Sequence, residues 1–387
     1  MMLSVFAACG KTSAGGATEP KDKTEAPVEE NNYEKDKAEY EAMTAEQLVE
    51  KYVADPANIT IEEYANLIAT YAFVPVEDGD FDCMNNKTAD AIDLIKEAGG
   101  TIPKSSESEL AKLMAAKPYA NSRAYYYCIL AGFIVPKDSE GYNALAEQYK
   151  KEEDPFVIAC VIRGLSRTFG YDADFCKYAL SYADSGNYDA KLRLSMALNE
   201  YEGVDKEEVV QAALKLLAEK EGNIAYHAAE ECGYIADERL VEPIVALLAD
   251  MEKMDVHSYA LKGLIKMWYN GSTSEAAYKA TMDYLKAENA DPHYPAWSAL
   301  TAFTSPRNSK YDAWKEEATY FSEKDFIAVM KGLVADAEAE KLIKTNAVKV
   351  IGAFGTADDL NELKPLVETS ADKDAIIAEI DKELGKK

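Results

Sequence analysis

The sequence is poor in the residues that most often carry chemistry. Only three histidines, His227, His257 and His293, are spread over 387 residues. No two of them stand four apart, so a helical zinc pair of the His-Glu-x-x-His kind is excluded. The six cysteines include no Cys-x-x-Cys pair, which leaves a structural zinc or a thioredoxin-type site without support. Neither a Gly-x-Ser-x-Gly elbow nor a Gly-rich phosphate loop occurs. No apolar run approaches about 18 residues, so no segment reads as a membrane-spanning helix. Cations are scarce: 42 Lys and Arg face 69 Asp and Glu, a net charge of −27. Nucleic-acid binding neutralises phosphates with Lys and Arg, so that balance argues against it. It argues equally against a polybasic contact with anionic lipid. Segments of strict β alternation are also missing. The exception is AFVPV at 72–76, where Pro75 makes a poor ladder member.

What is present begins at the N-terminus. The chain opens LSVFAACG, a short apolar stretch with Ala7 and Ala8 before Cys9. This resembles a bacterial lipoprotein signal. The resemblance implies cleavage before Cys9 and a lipid on its thiol. Only eight residues precede Cys9 and none is basic, whereas such signals need a charged start, so the true start is expected upstream. Residues 10–32 are small, polar and Pro-containing, with one Val as the only large apolar side chain. They bury too little surface to offset their ordering entropy and are expected to form a disordered tether.

From residue 33 onward, helical periodicity dominates. Thr44 precedes an acidic first turn, and Thr60 with Glu63 forms a capping-box signal. Segments 106–116 and 138–151 continue the pattern. Short similar segments, YCILA, VIRGL, LSMAL, AEECG, ALKGL and AWSAL, end at 131, 165, 198, 233, 264 and 300, spacings of 34, 33, 35, 31 and 36. That period holds two helices of about 12 residues and two turns, and stacked pairs make an α-solenoid. Asp154-Pro155 and Asp291-Pro292 mark turns before two of the helices. The run at 224–249 sets Ala228, Ala229, Gly233 and Ile235 before Leu240, Pro243, Ile244 and Leu247, and 344–365 repeats the grammar. Over residues 119–387 this resembles HEAT repeats, in which small residues pack helix on helix and a Pro marks the second helix. Residues 33–118 read as further pairs of the stack or as its cap.

Between the segments ending near 300 and 351 the spacing is too long for one repeat, and residues 304–321 are the excess. Insertions in solenoids map to loops on one face, often the binding face. A late aromatic concentration includes this insertion: Trp268, Tyr269, Tyr294, Trp297, Tyr311, Trp314 and Tyr320. Tyr and Trp offer large contact area with a polar tip, suited to protein or glycan surfaces, although packing between repeats accounts for them as well. The three histidines fall at related places in consecutive repeats, and His227 has Glu231 four residues on. Packing or exposure explains these better than a metal ladder does. Asp78, Asp80 and Asp82 alternate as calcium loops begin, but Cys83 and Ala89 stand where an EF-hand needs Gly and Glu. Cys128, Cys160 and Cys232 lie in apolar helical stretches and read as small buried hydrophobes, a single bridge remaining open.

The resulting expectation is all-α: an α-α superhelix of HEAT-like repeats behind a disordered tether. It divides into a signal remnant at 1–8, a tether at 9–32, N-terminal helical repeats or a cap at 33–118, and the solenoid at 119–387. The expected function is a non-catalytic, lipid-anchored scaffold on the extracytoplasmic face of a bacterial envelope. It would bind an envelope or extracellular protein or peptide, touch the membrane only through Cys9, and use no metal or cofactor. The alternative is a glycan-binding or glycan-processing helical lipoprotein. Of the net charge, −25 falls on residues 33–387, so the acidity coats the helical array and favours cationic partners.

Overall fold

Local capping chemistry sets where the helices begin. The computed structural model describes residues 30–77, 80–269, 274–286 and 316–387. Residues 1–43 and 44–387 form separate units. The first is described by α1 (Glu30–Ala42), which starts inside the stretch expected to be tether. The rest of that stretch, with Cys9, lies outside the described residues.

The second unit opens with α2 (Ala45–Tyr52) and α3 (Ile61–Ile68), each started by a capping box. Thr60 Oγ1 accepts from the Glu63 amide at 3.2 Å, and Glu63 Oε2 accepts from the Thr60 amide at 2.8 Å. Two backbone donors that a helix start leaves open are thereby satisfied. A two-residue ribbon follows, Val76–Glu77 antiparallel to Asp80–Phe81, with Val76 opposite Phe81. It starts at Val76, the last residue of the stretch that stood as the exception to the all-helical reading. Phe81 is buried against Tyr125 and Phe156, which explains why so short a pairing is held.

Next come α4 (Lys87–Glu97), α5 (Ser108–Ala115), α6 (Ala120–Leu130) and α7 (Glu140–Gln148). Then α8 (Pro155–Gly164) begins with Asp154 accepting from the amides of Phe156 and Val157 and with Pro155 at its first position. The one-turn α9 (Ser166–Phe169) leads to α10 (Ala173–Leu180), α11 (Tyr188–Ser195) and α12 (Lys206–Leu217). The array continues with α13 (Ile224–Ile235), α14 (Val241–Leu247), α15 (His257–Tyr269) and α16 (Glu275–Lys286). After residue 315 come α17 (Glu323–Ala335), α18 (Lys341–Phe354), α19 (Ala357–Asn361) and α20 (Lys373–Leu384).

Helices pack on alternate neighbours. In one layer α6 lies on α8, α8 on α11, α11 on α13 and α13 on α15; in the other α10 lies on α12, α12 on α14 and α14 on α16. A repeat of two helices produces this pattern, since neither helix can bury its apolar stripe alone. The same alternation runs across residue 118, with α3 on α5 and α5 on α7. The fold is therefore an all-α helical repeat array.

The repeat period also appears in the polar ties. Lys112 pairs with Glu140, Arg123 with Glu152, Arg167 with Glu200, Lys191 with Glu219, Arg239 with Glu207 and Lys266 with Glu230. Each pair joins residues 28–36 apart, one repeat to the next. Small residues let the first layer close up. A Cβ on Gly164 would collide with the Tyr127 carbonyl, and one on Gly263 with the Ala229 carbonyl. These glycines hold the same place in the VIRGL and ALKGL segments, where LSMAL carries Ala197, AEECG carries Cys232 and YCILA carries Leu130, all three buried.

Candidate functional site

Four first-layer helices, α8, α11, α13 and α15, present half-buried polar side chains in register. Arg163 stands on α8, Arg193 on α11, with Met196 and Glu200 just beyond its end, His227, Glu230 and Glu231 on α13, and Tyr259 and Lys266 on α15. The helical period brings His227 and Glu231 to one face of α13, and the stacking lays Arg163 and Lys266 on either side. Glu230 is tied to Lys266 at 3.1 Å, and Lys266 Nζ lies 4.2 Å from the centre of the Tyr234 ring.

Three members are poorly provided for. Among the described residues, no hydrogen bond or ion pair reaches the Glu231 carboxylate, and the Arg163 guanidinium meets only the thioether of Met196. The His227 ring packs on Tyr259 with centroids 4.9 Å apart. Burial pushes the Glu231 carboxyl up to about 7; Glu230 and Glu200 add to the shift, and Lys266 and Arg163 oppose it. Burial brings His227 down to about 4, helped by the charges of Arg163 and Arg193 and opposed by Glu230. Burial and Arg193 likewise lower Arg163, against the pull of Glu231. Shifted groups gathered on one surface are the usual mark of a functional site. This set offers guanidinium donors to an acceptor and a carboxyl acceptor to a donor. It contains no hydrogen-bonded nucleophile and base pair.

An exposed apolar edge borders the layer. Ile134, Tyr171 and Tyr234 are 62%, 73% and 52% exposed, each in or beside the turn that ends a first helix. Adjacent turns are knitted together. The Glu202 and Gly203 amides both donate to the Gly170 carbonyl at 2.8 Å, and Lys206 Nζ donates to the Ala236 carbonyl at 3.0 Å. Exposed apolar side chains at the ends of helices on one layer are candidates for a contact surface.

The residues singled out from sequence fare differently. Trp268 is fully buried, its indole N–H donating to Thr281 Oγ1 at 3.1 Å and its ring packed against Tyr278, Phe321 and Phe326. Tyr269 is buried beside Trp268 and Phe354. Tyr320 lies against Tyr278, with its hydroxyl buried. Trp268 and Tyr269 are packing residues, which corrects their expected place on a binding surface, whereas Tyr320 is half-buried. Tyr294, Trp297, Tyr311 and Trp314 lie outside the described residues, as do His293, Asp78 and most of the 304–321 insertion. His257 is buried in α15, its ring nitrogens within hydrogen-bond reach of the Tyr284 hydroxyl (3.2 Å) and the Asp250 carbonyl (2.9 Å). Among the described residues no group of three or more His, Cys, Asp or Glu side chains is placed to hold a metal ion, and no helix is long and apolar enough to cross a membrane.

Sequence reasoning passed over Arg163 and treated the His227–Glu231 pair as ordinary. The available signal was a cation in the otherwise apolar segment VIACVIRGL. No protein-family model matches this chain, and no curated protein matches it in sequence.

Proposed function

We propose that the chain is a non-catalytic scaffold that holds a peptide segment of a protein partner along the α8–α15 layer. The observation that supports this most is the trio Arg163, His227 and Glu231: half-buried polar groups on one layer whose hydrogen-bonding capacity goes largely unused. Desolvated polar groups of this kind cost stability unless a guest satisfies them. A peptide backbone supplies carbonyls for Arg163 and amides for Glu231. The apolar edge of Ile134, Tyr171 and Tyr234 supplies contact area beside them. The −27 charge favours a basic guest. The reading extends to a HEAT-like lipoprotein of a bacterial envelope, anchored through a lipid on Cys9.

Photo-crosslinking tests the scaffold. A photoreactive side chain replaces Met196 in one preparation and Glu208, in the second layer, in another. With envelope extract the Met196 probe is expected to capture a discrete protein. Arg163→Glu and Glu231→Lys are expected to abolish that adduct, while the Glu208 probe captures none. Equal capture on both layers, or capture indifferent to both charge reversals, would refute the reading. The anchor has its own test: palmitate labelling from an extended upstream start, lost in Cys9→Ser.

A further inference from the structure

Two thiols meet across a repeat junction. Cys128 on α6 and Cys160 on α8 stand 32 residues apart, one repeat period, and their sulfurs lie 3.4 Å apart. Both are reduced. Cys160 is buried, while Cys128 is partly open to solvent. The junction here is tight, since Gly164, one turn beyond Cys160, lets α8 seat against the Tyr127 carbonyl next to Cys128. A disulfide requires sulfurs at about 2.05 Å and Cβ atoms at about 3.8 Å. The sulfurs already stand at van der Waals contact, about 1.4 Å short of that bond length. Arg163, three residues beyond Cys160, adds a guanidinium within electrostatic range of Cys128. Positive charge beside a thiol favours the thiolate that initiates oxidation.

The other cysteines in this layer and the next are placed differently. Cys176 donates to the Gly170 carbonyl at 3.0 Å, and Cys232 is fully buried; burial raises both thiols. Among the described residues, no second sulfur touches either one.

We propose that Cys128 and Cys160 are a modification site, converted to a reversible inter-repeat disulfide by a hydroperoxide. The Cys128 thiolate attacks the outer oxygen of hydrogen peroxide, the O–O bond breaks, and the released hydroxide takes a proton to leave as water. The Cys128 sulfenic acid so formed is attacked at sulfur by Cys160. The S–S bond forms, the S–O bond breaks, and the second oxygen leaves as water with the remaining proton. Overall, two thiols are oxidised by two electrons and one peroxide is reduced to two waters. A dithiol reductant reverses the change by exchange. The inference shares Arg163 with the scaffold reading but needs no peptide guest, so either stands without the other.

The test uses the full chain, fully reduced and then exposed to hydrogen peroxide in slight molar excess, with a catalase-treated control. The thiol titre is expected to fall by two per chain. Peptide mapping is expected to yield a Cys128–Cys160 crosslinked peptide that dithiothreitol removes. The crosslink is expected to be absent from chain oxidised while denatured in guanidinium and from Cys160→Ala. Should Cys160→Ala not fold, the wild-type map decides alone. The proposal is overturned if both residues remain alkylatable after native treatment, or if Cys128 proceeds to sulfinic acid while Cys160 stays reduced.

Discussion

His227 and Glu231 predict a pH profile that neither would give alone. The Glu231 carboxyl titrates at about 7 in the folded chain against an ordinary value of 4.5. Between those values the folded chain keeps a proton that the unfolded chain has released, so stability falls as pH rises from 4.5 and levels off above 7. His227 titrates at about 4 against an ordinary 6.5. There the unfolded chain holds the extra proton, so stability rises from pH 4 to 6.5. Each folded value stands about 2.5 from its ordinary one, and at about 1.4 kcal/mol per pH unit each contribution is about 3 kcal/mol. The windows overlap and the signs oppose, so the two nearly cancel in the native chain. Glu231→Gln is expected to unmask the histidine, with stability climbing by about 3 kcal/mol between pH 4 and 6.5. It is also expected to exceed wild type by about that amount at pH 8. His227→Gln is expected to unmask the carboxyl, with stability falling by about 3 kcal/mol between pH 4.5 and 7. Arg163, Arg193, Glu200, Glu230 and Lys266 face the pair in every variant, so their effects largely drop out of the differences. Urea denaturation followed by helical circular dichroism, at half-unit pH steps, measures all three profiles. If Glu231→Gln keeps the wild-type profile, the carboxyl does not titrate in this window and the reasoning fails.

Three further outcomes follow from packing. Arg123 makes a bidentate pair with the buried Glu152, at 2.6 and 2.8 Å, and also donates to the Lys117 and Pro118 carbonyls. Arg123→Met strands the carboxylate and is expected to cost about 3–5 kcal/mol in urea denaturation. Gly164→Ala drives a methyl into the Tyr127 carbonyl and is expected to cost about 1–3 kcal/mol, seen as a lower melting temperature. Ala236 ends α13 in the left-handed region at φ 52°, so Ala236→Gly is expected to stabilise the chain by about 0.5–1 kcal/mol in the same assay.

The features legible in the sequence are those that local or periodic chemistry sets. Thr44, Thr60 and Asp154 announce helix starts because a cap acts within three residues of itself. The repeat was legible because similar segments recur at 31–36 residues, with Gly164 and Gly263 where neighbouring helices approach closely. The site was not legible, because the burial of Arg163 and Glu231 depends on side chains about one repeat away, Met196 and Lys266 among them. No single helix carries that information. Trp268 misled for a related reason. An aromatic on an amphipathic helix reads alike whether its face meets solvent or a neighbour, and here Thr281 and Phe326 close over it. The Val76–Phe81 ribbon is too short for alternation to register at all.

The one-period ties have a consequence for how such a chain can change length. Each cation reaches an acid 28–36 residues away, forward or backward, so every such tie spans the junction between adjoining repeats. Duplicating or deleting one whole period disturbs only the ties that span the altered junction and leaves the alternation of the two layers intact. Adding three or four residues within a helix instead changes the offsets of the pairs that span it and rotates the rest of that helix off its seam, while ties lying wholly before or after it keep their spacing. Length in this array therefore comes in quanta. The turns between helices are the places where a fractional change costs little.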